Sequence, residues 1–189
     1  MVIKSFSVRS AFFLLVLAVL LFGSQNLVAA SKKPPRAVYE QLYEVRVTKV
    51  VDGDTVDVEF LGEIPPDCDK SCQRIRLIGV DTPEYYKKVR QPYADEAKEY
   101  TGRCLGTTMQ LRLDWYTSYK DRYGRLLAYL YAEDGSMLNY ELVRNGYGRY
   151  YSKFKFNKQD MASFGQAEDY AREHRLGLWG LDTGDGGQE

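Results

Sequence analysis

The sequence R-I-R-L-I-G-V-D-T-P-E, residues 74–84, begins as a core strand and ends as an acidic tip. Its first part is rich in Ile, Leu and Val, which predicts a strand over residues 74–80. The strand gives way to D-T-P-E, in which Pro83 fixes its own φ angle and drives Thr82 toward an extended conformation. The stretch therefore places two carboxylates at a rigid position at the end of a core strand.

Hydrophobic patterning on both sides of this stretch predicts five strands and three helices. The first two strands flank an Asp-Gly turn and form a hairpin. The strands are expected at 42–51, 56–60, 74–80, 109–113 and 126–131, and the helices near Pro92 and at 137–145 and 159–174. This order favours an α+β fold, in which helices cap a small closed antiparallel β-barrel of five strands.

The first thirty residues have the layout of a secretory signal peptide, with a basic start, an apolar run over residues 11–22 and small residues before Ser31. The apolar run is short for a membrane span, which needs roughly 20 residues, and an uncleaved membrane anchor is the alternative. The charged, Pro-rich residues 31–40 predict a linker before a domain at 41–180. The Gly- and Asp-rich residues 181–189 predict a flexible tail. We therefore expect a secreted or periplasmic protein.

The charge balance argues against a protein that binds nucleic acid through a broadly basic surface. The whole chain has 26 basic and 26 acidic residues. Removal of the first thirty residues takes away two basic ones, which leaves a net charge of −2. Any contact with nucleic acid must therefore depend on a local site.

The three cysteines predict one disulfide and one thiol. Cys68 and Cys72 lie in one loop, D-C-D-K-S-C, which favours them as a pair in an oxidising compartment. Cys104 lies on the apolar side of a predicted helix, where it would act as a small buried hydrophobe. A zinc site is disfavoured because the chain has a single histidine, His174.

A second acidic pair, Asp52 and Asp54, lies in the predicted first hairpin. Carboxylates that lie close together repel each other, which raises their pKa values unless a cation neutralises them. Ca²⁺ accepts carboxylates, backbone carbonyls and water in loose geometry, and neither acidic segment offers a nitrogen or sulfur ligand. Taken singly, each acidic segment is better explained as an ordinary surface turn.

Two arginines give the acidic segments a further meaning. Arg76 lies five residues before Asp81 on the same strand, and Arg125 lies at the start of the fifth strand. An arginine in a barrel strand is costly unless its guanidinium group is paired or faces a ligand. Two guanidinium groups beside a cation form a receptor for phosphate. Each arginine alone is explained equally well by a surface ion pair.

Five motifs together resemble the staphylococcal nuclease (thermonuclease) family, in order and with similar spacing. They are V-D-G-D-T (51–55), R-L-I-G-V-D-T-P-E (76–84), D-R-Y-G-R-L-L-A-Y (121–129), L-V-R-N-G (142–146) and L-G-L-W-G (176–180). The resemblance covers roughly residues 40–180 and implies an OB-fold barrel of five strands capped by three helices. It also implies a Ca²⁺-dependent phosphodiesterase that cuts DNA and RNA and leaves 3′-phosphate ends.

The resemblance also implies roles for individual residues, carried over position by position. Asp54, Asp81 and the backbone carbonyl of Thr82 would be ligands of Ca²⁺, and Arg76 and Arg125 would bind the scissile phosphate. Glu84 would position or deprotonate the attacking water. Arg122 and Tyr123 would contact the nucleotide.

Two segments are not explained by the resemblance. Residues 65–72, P-P-D-C-D-K-S-C, form an insert without a counterpart in the family. In the aromatic and basic segment 146–156, Tyr150, Tyr151 or Phe154 either stack on bases or pack the barrel against the last helix. The sequence leaves both interpretations open.

Three functions fit these features. The first is a nuclease for DNA and RNA that prefers single strands and acts as a monomer without an obligate protein partner. The second is a catalytically inactive module of the same family that binds nucleic acid or protein, and the third is a Ca²⁺-stabilised structural module. A binder has no need to keep all the acidic residues and arginines, and a structural module has no use for the arginine pair. The motifs therefore favour the nuclease.

Overall fold

The structure is a computed structural model, and it describes residues 40–66, 68, 73–85, 90–153 and 155–181. The strands are β1 (Leu42–Asp52), β2 (Thr55–Phe60), β3 (Arg74–Leu77), β4 (Val80–Asp81), β5 (Met109–Leu113), β6 (Leu126–Tyr131) and β7 (Arg149–Tyr150). The helices are α1 (Ala94–Arg103), α2 (Leu138–Arg144) and α3 (Lys158–Glu173), followed by a short 3₁₀ helix at Gly177–Trp179.

Several predictions about the ends of the chain fall outside these residues. The signal peptide, the linker up to residue 39 and the tail from residue 182 remain predictions. Within the described parts of the chain, no helix is long and apolar enough to cross a membrane.

Five strands close into a barrel in the order β1-β2-β3-β6-β5, which confirms the α+β fold with a five-stranded barrel and three helices. Four of the five strand pairs are antiparallel, as expected. The fifth pair, β3 with β6, is parallel, with Ile75 opposite Leu126. The expectation of an entirely antiparallel barrel is therefore wrong at this pair. A parallel pair requires a long connection, and α1 and β5 lie between these two strands in the chain.

The predicted third strand is divided in two. β3 ends at Leu77, and a turn that contains Gly79 at φ +80° leads into β4. A side chain at Gly79 would be strained at this φ and would approach the Phe156 ring to 3.0 Å. β4 then pairs with β7 outside the barrel. Because of this turn, the D-T-P-E tip leaves the barrel and meets the β1–β2 hairpin.

A buried asparagine fixes the turn between β3 and β4. The side chain of Asn139, on α2, donates to the carbonyls of Ile78 at 2.9 Å and Ala128 at 3.0 Å. Its carbonyl oxygen accepts from the backbone N–H of Leu130 at 3.0 Å. Since Asn139 is fully buried, these bonds satisfy backbone groups that water cannot reach. The helix thereby holds the start of the acidic tip against β6.

The aromatic segment near residue 150 divides between the core and the surface. The centre of the Tyr150 ring lies 6.2 Å from that of Phe164 on α3 and 6.3 Å from that of Phe156. Tyr150 therefore packs against the last helix, which is one of the two interpretations that the sequence left open. Tyr151 lines the cleft described below. Phe154 lies outside the described residues.

The cysteine predictions have different outcomes. Cys68 is partly buried against the core, and its predicted partner Cys72 lies outside the described residues, so the disulfide remains a prediction. Cys104 is half-buried and caps the C-terminus of α1 rather than lying within the helix. It still packs against the core, as a small hydrophobe would.

Candidate active site

One cleft of about 980 Å³ lies at the outer face of the barrel, where β2, β3 and the segment before β6 meet. The predicted site residues that line it are Asp54, Arg76, Asp81, Glu84, Arg122, Tyr123 and Arg125. Thr82 does not line the cleft, but its backbone N–H donates to the Asp54 carboxylate, which does. The structure therefore brings together all the residues selected from the motifs, although the roles assigned to them remain predictions.

Asp54 is the most deeply buried acid in the cleft, with only 5% of its surface exposed. Its carboxylate accepts hydrogen bonds from the Thr55 hydroxyl at 3.0 Å and from the backbone N–H of Thr82 at 2.8 Å. The second bond joins the tip of the β1–β2 hairpin to the D-T-P-E tip. Burial raises the pKa of Asp54 to about 6, because the loss of solvation outweighs the attraction of the neighbouring Arg76.

Arg76 connects the two acidic tips. Its Nη2 lies 3.1 Å from Asp54 Oδ2 and 2.9 Å from Asp81 Oδ1. Its Nη1 donates to the carbonyls of Leu77 at 2.8 Å and Val80 at 2.7 Å. The guanidinium group is therefore fixed by four oxygen atoms. A phosphate in the cleft would compete with two carboxylates for Nη2.

Asp81 differs from Asp54 in its exposure. About half of its side chain is accessible, and it faces the cleft. Partial burial raises the pKa of Asp81, Arg76 opposes this shift, and the charge of Asp54 adds to it. Both acids at the centre of the cleft thus have a raised pKa, which is the electrostatic condition that a bound cation would relieve.

Glu84 lines the same cleft, and a residue outside the predicted site holds it there. The backbone N–H of Glu84 donates to Gln91 Oε1 at 2.9 Å. The backbone N–H of Gln91 in turn donates to the Glu84 carbonyl at 3.2 Å. Tyr85 and Arg90 form a β-bridge between these two residues. Nothing in the sequence pattern indicated Gln91, because this pairing depends on how the chain returns after residue 85.

Arg125 is also held by a residue that had no predicted role. Asp121 Oδ2 lies 2.7 Å from Arg125 Nε. Asp121 Oδ1 accepts from the backbone N–H groups of Tyr123 at 2.8 Å and Arg125 at 3.0 Å. Asp commonly accepts such bonds at the start of a turn, so the D-R-Y-G-R motif did contain a signal for this role.

Tyr123 offers a flat apolar surface at the edge of the cleft. Its side chain is a large hydrophobic group that is 68% exposed. The Arg122 guanidinium carbon lies 4.8 Å from the ring centre, and that of Arg125 lies 5.5 Å away. Arg122 Nη2 also donates to the Tyr123 hydroxyl at 2.6 Å. The ring is thus oriented by two cations and accessible to a stacking partner.

The donor atoms at the acidic tips fit a hard cation better than a transition metal. Within the described residues, no group of three or more His, Cys, Asp or Glu is arranged to hold a metal ion. The predicted ligands are two carboxylates, of Asp54 and Asp81, and the Thr82 carbonyl. These are oxygen atoms of the kind that Ca²⁺ prefers, and water would complete the coordination. The Thr82 hydroxyl is a further polar atom there, buried without a hydrogen-bond partner among the described residues.

Several known proteins are similar in sequence to this chain. Residues 74–180 match the family model described as Staphylococcal nuclease homologue. The thermonuclease of Staphylococcus hyicus is 37% identical over 145 residues, which cover 74% of this chain and 76% of that protein. The thermonuclease of Staphylococcus intermedius is 34% identical over 168 residues, which cover 87% of this chain and 92% of that protein.

A third relative, Endonuclease YhcR of Bacillus subtilis, is 31% identical over 82% of this chain, although the match spans only 13% of that protein. The family match covers more than half of the chain, and the two staphylococcal proteins match over most of their length. The fold and the clustered motifs agree with these similarities, and the chain belongs to the family of staphylococcal nuclease homologues.

Proposed function

We propose that this chain is a calcium-dependent endonuclease that hydrolyses the phosphodiester bonds of DNA and RNA and leaves 3′-phosphate ends. The observation that carries the proposal is the meeting of two acidic tips at one arginine. Asp54 and Asp81 both lie within 3.1 Å of Arg76 Nη2. Glu84 and Arg125 line the same cleft, so a water, a phosphate and a cation can be bound side by side.

The arginines would stabilise the phosphate during hydrolysis. As water attacks phosphorus, negative charge builds on the non-bridging oxygen atoms, and guanidinium groups already in place lower the energy of that state. Arg125 is suited to this role because Asp121 holds its Nε, while its Nη1 and Nη2 make no hydrogen bond to any described residue. By analogy with lost oxyanion donors, removal of either arginine would reduce the rate by about 10²-fold or more.

Glu84 would orient the attacking water and accept its proton. The new bond forms between the water oxygen and phosphorus, and the bond from phosphorus to the 5′ oxygen breaks. The 5′ oxygen leaves with the electron pair and takes up a proton from water, so the phosphate stays on the 3′ oxygen. Gln91 holds the backbone of Glu84 on both sides of the residue, which limits the positions that the carboxylate can occupy.

Asp54, Asp81 and the Thr82 carbonyl would hold the cation. When bound, Ca²⁺ would reduce the repulsion between the anionic substrate and the attacking oxygen and polarise the phosphoryl group. A hard cation also suits Asp54 and Asp81 because it stabilises the ionised forms that burial disfavours.

The surroundings of the cleft favour single-stranded substrates. Tyr123 is exposed at the rim, and stacking of a base on an aromatic ring requires a base that is not already paired. We further propose that the protein acts as a monomer without an obligate protein partner. We also propose that it is exported, to the periplasm or the medium, because its first thirty residues have the layout of a signal peptide.

Digestion of end-labelled single-stranded DNA and RNA with titrated Ca²⁺ tests the proposal. We expect cleavage that depends on Ca²⁺, stops with excess chelator and gives 3′-phosphate ends. Equal cleavage in the presence of chelator would remove the metal from the mechanism. Binding of both substrates without cleavage under any condition would favour the alternative of an inactive nucleic-acid-binding module.

A further inference from the structure

Arg74 lies beside the active-site arginines but has no place in the mechanism above. It is the first residue of β3, two residues before Arg76, so both side chains leave the strand on the same face. Residues two apart on a strand are separated by roughly 6.6 Å, about one nucleotide of an extended single strand. Because Ile75 pairs with Leu126 in parallel register, Arg125 lies next to Arg74 across the sheet.

The guanidinium group of Arg74 is only partly occupied. Its Nε lies 2.7 Å from Asp57 Oδ1 and its Nη2 lies 3.1 Å from Asp57 Oδ2, across the β2–β3 pair. Its Nη1 makes no hydrogen bond to any described residue, and the side chain is 51% exposed. One edge of the group is thus held in place, while the other can bind an anion.

A groove leads from the active site past this arginine. It has a volume of about 320 Å³ and is lined by Asp57, Gln73, Arg74, Tyr123, Gly124 and Arg125. Arg74, Tyr123 and Arg125 also line the active-site cleft, so the groove is continuous with it. A Cβ atom built at Gly124 would meet nothing within 4 Å, which shows that this side of the groove is open.

We propose that this groove binds the nucleotide next to the scissile phosphate and that Arg74 contacts the phosphate of that nucleotide. The inference rests on the proposed nuclease function and extends it to longer polynucleotides. Two features identify the ligand as a sugar–phosphate backbone. First, the groove joins a site with two arginines suited to phosphate. Second, Arg74 lies two residues from Arg76 along β3, and Tyr123, where the groove meets the cleft, offers a surface on which a base can stack.

Asp57 sets the strength of this contact. Its carboxylate competes with a substrate phosphate for Arg74 while it fixes the orientation of the guanidinium group. Removal of the Asp57 charge should therefore tighten the binding of long substrates, whereas removal of the Arg74 charge should weaken it. If the ion pair had only a structural role, both substitutions would change the KM for long substrates in the same direction, since either one breaks the pair.

The test compares Arg74→Gln, Asp57→Asn and a control, Arg46→Gln, with the unmodified chain. Arg46 forms a similar exposed cross-strand ion pair with Glu59, and neither residue lines the cleft or the groove. The substrates are a dinucleotide and a 12-nucleotide single-stranded DNA, both cleaved with Ca²⁺. Thermal unfolding of each variant is measured in the same buffer.

We expect Arg74→Gln to lower the ratio of kcat/KM for the 12-mer to kcat/KM for the dinucleotide by about tenfold, mainly through KM, which corresponds to roughly 1.4 kcal/mol. We expect Asp57→Asn to lower KM for the 12-mer and Arg46→Gln to change neither value. An unchanged ratio in Arg74→Gln, or a KM for Asp57→Asn as high as that of Arg74→Gln, would overturn the groove proposal. Failure of the unmodified chain to cut either substrate would instead overturn the proposed nuclease function.

Discussion

The central conflict at the scale of single residues is the burial of Asp54. Its carboxylate is almost fully removed from water beside two other acids, Asp52 and Asp81, and Arg76 offsets part of this charge. Burial makes the ionised form of Asp54 costly. The proposed cation requires this ionised carboxylate, although the carboxylate lowers the stability of the folded protein. Active sites commonly contain such groups at the expense of stability.

Substitution of Asp54 should therefore stabilise the protein in the presence of a chelator. The pKa of Asp54 is raised from 3.8 to about 6, so the folded state binds the proton more tightly than the unfolded state does. Stability then falls as the pH rises from about 4 to 6 and stays reduced above that range. We expect Asp54→Asn to remove this loss, with a gain on the order of 3 kcal/mol at pH 7, and to abolish cleavage.

Urea unfolding between pH 4 and pH 8, with chelator present, measures this effect. Asp169→Asn, an exposed substitution on α3, is the control and should leave the free energy of unfolding at pH 7 unchanged. A loss of stability in Asp54→Asn at pH 7 would show that the carboxylate stabilises the fold, which is the opposite of the expected sign.

The two residues assigned to chemistry can be tested separately from the fold. Glu84→Ser and Arg125→Gly should each lose most of the activity, because one removes the group that positions water and the other a charge that stabilises the phosphate. Both lie at the cleft rather than in the core, so thermal unfolding should still show a folded protein. Normal turnover in either variant would contradict the role assigned to that residue.

Gln91 should affect catalysis only through the position of Glu84. Gln91→Met removes the oxygen that accepts the Glu84 N–H, whereas Gln91→Glu keeps an acceptor at that place. We expect kcat to fall about tenfold in Gln91→Met with little change in KM, and to recover in Gln91→Glu, because small displacements of a catalytic group are costly. Equal kcat values in the two variants would show that the hydrogen bond does not position Glu84.

At the scale of elements, the site depends on how closely the β1–β2 hairpin approaches α1 and the D-T-P-E tip that follows β4. A Cβ atom at Gly53 would lie 2.8 Å from the side chain of Thr82 and 2.9 Å from the Cβ of Ala97. The Thr101 hydroxyl on α1 donates to the Gly53 carbonyl at 2.6 Å. The hairpin can reach the D-T-P-E tip because residue 53 has no side chain.

Gly53→Ala should therefore separate the two acidic tips. The added methyl group forces the hairpin away from Thr82 and Ala97, which we expect to cost about 1–3 kcal/mol of stability, as overpacking does. Activity should be largely lost even where the variant is still folded, because Asp54 moves away from Asp81 together with the hairpin. Gly62→Ala is the matched control, since a Cβ atom there meets nothing within 4 Å. Equal activity in the two variants would show that the close approach is not required.

At the scale of the whole molecule, the charge is balanced, and within the described part of the chain four arginines gather around one cleft beside Lys120. The chain has 26 basic and 26 acidic residues, yet Arg74, Arg76, Arg122 and Arg125 all line one cleft. Binding of nucleic acid should therefore depend on a small number of phosphate contacts rather than on a general field.

The salt dependence of binding measures this number. For about four phosphate contacts with a single strand, the logarithm of affinity should fall with the logarithm of salt concentration with a slope of about −3. The measurement uses fluorescence anisotropy of labelled single-stranded DNA with the inactive Glu84→Ser variant in Ca²⁺. A slope of about −6 or steeper would indicate a broad basic surface instead of a local site.

The sequence by itself determined the five barrel strands, the three helices and the residues to which roles were assigned. Alternation and turn residues placed the five barrel strands and three helices, because burial of one face imposes a period on the chain. The motifs 51–55, 76–84 and 121–129 contained all the residues that were assigned roles. Asp121 was within reach of the same reasoning, because its bonds are local to its own turn.

Only the tertiary structure decided the relations between distant segments. The parallel pairing of β3 with β6, the break at Gly79 and the contacts of Gln91 and Arg74 depend on where the chain returns. Sequence periodicity reports which face of an element is buried, and it contains no information about which other element covers that face. The resemblance implied that Asp54 and Asp81 share a cation, but their common contact with Arg76 is of this kind, because the β1–β2 hairpin and the D-T-P-E tip become neighbours only when the chain folds.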